Sequence, residues 1–127
     1  MRLTDAQQLL AAGRFDAAYY LAGYAVECAL KACIARQIDQ YDFPDKRLAE
    51  KSWTHVLEDL VGVAGLRQPF DAAQAADGDV ADNWAIVAQW SELFRYYDGI
   101  TQQEALDIVQ AISNPVHGVL PWLEQHW

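Results

Sequence analysis

The sequence predicts an all-α protein, an up-and-down bundle of about five helices in a single domain over residues 1–127. Three observations carry this. Apolar residues recur with helical periodicity, and the two-residue alternation of half-buried strands is absent. Residues 14–37 form one long run rich in Ala, Leu and Tyr. Thr101 is followed three residues later by Glu104, the spacing of a capping box. The chain has 127 residues, 53% of them apolar and 21% charged, which suffices for one packed core and argues against global disorder.

A first helix is expected over Asp5–Ala12, with Thr4 as its N-cap and Gly13 as its stop. A second spans about Arg14–Gln37. Residues 39–52, with Pro44 and clustered charges, read as a polar loop. A third helix fits Trp53–Ala64, with Val56, Leu57, Leu60 and Val61 on one face and Gly65 after it. Residues 66–78 carry Pro69 and Gly78 and read as a short helical turn and a loop. A fourth helix fits Val80–Leu93, followed by a loop over Phe94–Gly99. The fifth runs from the cap at Thr101 to about Gln125, kinked at Pro115 and Pro121.

Charge narrows the function classes. The net charge is -9, with 9 basic and 18 acidic residues, so a phosphate-coating role is disfavoured and nucleic acid is not an expected partner. Beyond residue 64 the only basic residues are Arg67 and Arg95. Each is either a paired structural arginine or a ligand anchor. Cys28 and Cys33 lie five apart in the second helix, a poor geometry for a disulfide, and read as free buried thiols of a cytoplasmic protein. No apolar signal segment opens the chain, and Glu27 and Lys31 interrupt the best candidate for a membrane span. Three scattered histidines and no close His/Cys/Asp grouping in the sequence give no metal ligand set, and no cofactor is expected.

The second helix has two unlike sides. Ala18, Ala22, Ala25, Ala29 and Ala32 make a seam of small residues that lets another helix approach closely, either the fifth helix or a second subunit. The other side carries Tyr20, Gly23, Tyr24, Glu27, Lys31 and Ile34. Glu27 and Lys31 are neighbours one turn apart, in the favourable order. Either they form an ion pair pinning two helices, or Tyr24, Glu27, Lys31 and Arg95 line a polar pocket for a phosphate- or amino-bearing ligand. Five tryptophans, Trp122 and Trp127 among them, read as core filling or as an interaction patch.

The segment Ala22-Gly23-Tyr24-Ala25-Val26-Glu27-Cys28-Ala29-Leu30-Lys31-Ala32 resembles the HEPN family. So do His55 with Leu57 and Leu60, and the stretch from Trp90 to Arg95 and Tyr96. The resemblance spans most of the chain and implies a compact helical bundle that often forms homodimers. It also implies a minimal nucleotidyltransferase as a possible partner, in a toxin–antitoxin setting, or a nucleotide as ligand. The ligand-binding candidates are then Arg95, Tyr24, Glu27, Lys31, Tyr96 and His55. One branch of the family cleaves RNA without metal, using an Arg followed by four to six residues and a His. This chain departs from that motif. Before His117 the matching positions hold Gln110, Ala111 and Ile112. Before His126 they hold Val119, Leu120 and Pro121; before His55 they hold Leu48, Ala49 and Glu50. No catalytic residue is assigned, and His117 reads as a capping or packing residue. The expected function is noncatalytic binding. The alternatives are an RNase toxin with a rewired site, pairing Arg95 with His55 or His117, and a structural dimerisation module.

Overall fold

The computed structural model describes residues 2–40, 50, 51 and 53–127. These form seven α-helices and a short 3-10 helix, with no strand among the described residues. The helices are α1 (Arg2–Ala11), α2 (Phe15–Gln40), α3 (Leu57–Val63), α4 (Arg67–Ala76), α5 (Gly78–Val87), α6 (Gln102–Ser113) and α7 (Val119–Glu124). The 3-10 helix is Glu92–Tyr96, between α5 and α6.

The bundle is organised around α2. It packs against α1, α3, the 3-10 helix, α6 and α7, while α5 joins from the far side through α4, α6 and α7. Ala18, Ala22, Ala25 and Ala29 of the small-residue seam are buried within the chain; Ala32 is exposed. Small side chains let neighbouring helices come close to this axis. Val26, Leu30, Leu60, Ile108, Ile112 and Leu123 fill the centre.

Two glycines turn the chain at helix ends. Gly13 (φ 79°) and Gly65 (φ 71°) sit in the left-handed region after α1 and α3. At both, the following N–H bonds back five residues, Arg14 to Leu9 and Leu66 to Val61. That satisfies carbonyls which the helix end leaves open. The capping box at α6 forms as expected, with Thr101 Oγ1 accepting from the Glu104 N–H and Glu104 Oε1 from the Thr101 N–H.

Several expected boundaries are corrected. α1 begins at Arg2, so Thr4 lies inside it rather than capping it. Residues 67–76 are a full helix, because Pro69 is the third residue of α4, where no helical acceptor awaits its missing N–H. The third helix starts at Leu57: Thr54 Oγ1 accepts from the Val56 N–H and holds residues before it out of the helix. The fourth starts at Gly78, capped by Asp77, and ends at Val87. Ser91 then caps the 3-10 helix, which takes up half of the expected 94–99 loop. The fifth helix is broken, not kinked. Pro115 forces Asn114 out of the helical region (ψ 124°), and Asn114 Oδ1 accepts from the N–H groups of Val116 and His117. Pro121, third in α7, is tolerated there as Pro69 is in α4. Residues 39 and 40 belong to α2, and residues 50 and 51 are helical; the rest of the loop expected over 39–52 falls outside the described residues.

Asp77 closes α4 and opens α5, so one residue separates the two helices.

Candidate functional site

Glu27 is the only buried charged side chain among the described residues, at 2% exposure. A buried carboxylate is costly unless paired. Lys31 Nζ lies 3.5 Å from Oε2, the i, i+4 contact readable from the sequence. The shorter contact is to His55, whose Nδ1 lies 3.0 Å from Oε1. His55 Nε2 in turn lies 3.3 Å from Oε2 of Glu92. Both imidazole nitrogens therefore face carboxylates. This chain of groups ties α2, the extended segment before α3 and the 3-10 helix together.

It borders an open groove. Thr54, His55, Val56, Trp90, Ser91, Glu92 and Leu93 line a concavity of about 520 Å³. That volume lies in the range of small-ligand sites, roughly 300–1,000 Å³. Val56 and Leu93 are large exposed apolar side chains on its walls. Trp90 is 3% exposed, and its Nε1–H is a buried donor with no partner among the described residues. The indole lies against the bare backbone of Gly23: a Cβ there would sit 2.2 Å from Cγ and Cδ1 of Trp90. Gly23 thus lets α2 seat the tryptophan, which in turn lines the groove. Tyr20 packs on the same indole, with centroids 5.9 Å apart.

Of the six ligand-binding candidates, Glu27, Lys31 and His55 come together. Tyr24 does not join them. It stacks with Tyr20 and receives the Arg2 guanidinium over its ring at 4.8 Å, against α1. Arg95 makes no ion pair among the described residues. It is exposed and lies 4.6 Å over the ring of its neighbour Tyr96, also exposed. The pocket expected from Tyr24, Glu27, Lys31 and Arg95 is therefore not formed, because Arg95 leaves the 3-10 helix toward solvent. Its place beside Glu27 is taken by His55. Arg67, the other late arginine, is structural: it contacts Glu58 at 2.6 Å and Asp71 at 3.0 Å. Trp84 and Trp90 are core residues, while Trp53 and Trp127 are exposed. Cys28 and Cys33 are free thiols, Cys33 buried and Cys28 half-buried.

A second polar cluster escaped the sequence reading. His117 Nδ1 lies 2.5 Å from Oδ2 of Asp77, and Nε2 lies 3.6 Å from Oδ2 of Asp79. Asp77 and His117 are forty residues apart in the sequence and are brought together by the fold. Partial burial pushes the Asp77 carboxyl up. The hydrogen bond with His117, the N–H groups of Asp79 and Val80, and the imidazolium charge outweigh that, and the net shift is downward. A carboxylate whose pKa is lowered by folding stabilises the fold above its ordinary value and loses that contribution as the pH falls through its folded value. The melting-temperature gap between the native chain and His117→Ala is therefore expected to shrink as the pH falls below about 4, through the lowered folded value of Asp77. A gap unchanged down to about pH 2.5 would remove this ion pair from the stability of the fold.

Comparisons with protein-family models, with curated proteins and with solved structures find no match for this chain. No helix among the described residues is long and apolar enough to cross a membrane.

Proposed function

We propose that this chain is a noncatalytic HEPN-type protein that acts by binding, with the groove at His55 as its recognition face. The observation that carries the reading is Glu27: a buried carboxylate held by His55 and Lys31 at the edge of an open groove. A charge kept there costs stability, and position-specific polar groups beside apolar walls are what recognition sites contain. The family resemblance of the segment around Glu27 supports the same reading, and so does the missing Arg-to-His spacing.

The groove fits a protein surface better than a free phosphate. Glu92 and Glu27 place two carboxylates around one imidazole, and Val56 and Leu93 offer apolar contact. A partner presenting basic and apolar groups, such as a minimal nucleotidyltransferase, complements this face. One observation favours a nucleotide as second ligand: Arg95 and Tyr96 stand side by side and exposed, a cation and an aromatic face.

The experiment is affinity purification of the tagged chain from its own cells, followed by binding measurements on His55→Ala and Arg95→Ala. A nucleotidyltransferase-like protein is expected in near-equal amounts, with its affinity lowered more than about ten-fold by His55→Ala. Retention of full affinity by His55→Ala would move recognition away from the groove. A defect in nucleotide binding confined to Arg95→Ala, with little change in melting temperature, would establish the second ligand. Metal-independent RNA cleavage that disappears in His55→Ala would overturn the noncatalytic reading.

A further inference from the structure

The strongest unassigned chemistry lies away from the groove, at the junction of α4, α5 and the turn before α7. We propose that His117 and Asp79 bind a divalent transition-metal ion, zinc by preference, with Asp77 orienting the imidazole.

His117 is fixed from three directions. Its N–H donates to Asn114 Oδ1 at 2.9 Å, its carbonyl accepts from Asn83 Nδ2 at 2.9 Å, and its Nδ1 contacts Asp77. Asp77 is itself fixed, because its other oxygen accepts from the Asp79 N–H at 3.0 Å. A carboxylate on Nδ1 selects the tautomer that leaves the Nε2 lone pair free, the arrangement that supports histidine as a metal ligand. Nε2 then faces Asp79 Oδ2 at 3.6 Å, too long for a hydrogen bond. It is close to the donor separation of about 3.4 Å at a tetrahedral centre with bonds of about 2.0–2.1 Å. Ligand atoms of all three side chains lie within 4.8 Å of one another.

Imidazole with carboxylate suits zinc and its neighbours better than magnesium or calcium, which take oxygen ligands. Two protein ligands leave two positions for water or for a group from another molecule. The chain's net charge of -9 favours cation binding in general. Asp79 is largely exposed, so an ion reaches the site without opening the core.

The test is titration of the full chain with zinc chloride, followed by calorimetry and by the nitrogen chemical shifts of the histidine rings. The native chain is expected to bind one zinc at this site, with Nε2 of His117 shifting and the melting temperature rising. Asp79→Asn replaces an exposed side chain and leaves the metal-free fold intact; it is expected to weaken binding at least ten-fold. Asp77→Asn keeps a good helix cap and is expected to weaken binding by about ten-fold or more, as loss of an orienting carboxylate does. His55→Ala serves as control and is expected to leave the affinity unchanged. Zinc binding that survives Asp79→Asn, that follows His55 instead, or that shifts no resonance of His117 would overturn the assignment, as would no binding up to about 100 μM.

Discussion

Gly23→Ala is expected to destabilise the fold by about 2 kcal/mol and lower its melting temperature by roughly 5–10 °C. The sign is the informative part. In an exposed helix interior the same change stabilises by about 0.5–1 kcal/mol. Here the new Cβ would lie 2.2 Å from the Trp90 ring. That ring is 3% exposed and packed against Tyr20, so it yields only by disturbing the core. Thermal denaturation of the single variants and of Gly23→Ala with Trp90→Leu checks the mechanism. Shrinking residue 90 should remove most of the added penalty, giving a coupling of the opposite sign to the single effects. A Gly23→Ala variant as stable as the native chain would mean that the indole does not rest on α2.

Phe70→Ala is expected to have the larger effect, about 3–5 kcal/mol. Phe70 is 1% exposed. It meets Trp84 edge-on at 4.9 Å and lies 4.6 Å from the Trp122 ring, so one side chain joins α4, α5 and α7. Small domains retain only about 5–15 kcal/mol in total, so this single truncation leaves a marginal fold. Urea denaturation should show a much lower midpoint with an unchanged slope, and Phe70→Leu should restore most of the loss. A change below about 1 kcal/mol for Phe70→Ala would contradict the packing described.

The all-helical architecture, α2 and the capping box were legible because they rest on local patterns. Periodicity and the Thr101–Glu104 spacing involve residues within one or two turns. The differences at three prolines have one cause. Sequence pattern alone marks Pro69 as a breaker and Pro115 and Pro121 as kinks, whereas a proline's effect depends on its position in the turn. At the third residue of α4 it costs no hydrogen bond; after Asn114 it ends α6 outright.

The candidate site was half legible. Glu27 and Lys31 announce themselves by their spacing. His55 was singled out, but its contact with Glu27 crosses 28 positions and depends on the extended segment at Thr54. Arg95 looked apt because it is rare in an acidic half, yet its direction is set by the 3-10 helix, which no periodicity revealed. The Asp77–Asp79–His117 group joins two distant segments and left no local trace.

The single-residue joint at Asp77 has a mechanical consequence. Two soft backbone dihedrals are all that separate the axes of α4 and α5, so no linker absorbs a change in angle. Phe70 and Trp84 sit on opposite arms of this corner and interlock, and His117 grips it at the vertex. The angle between the two helices is thus held by contacts on both arms and at the vertex, not by a connecting segment.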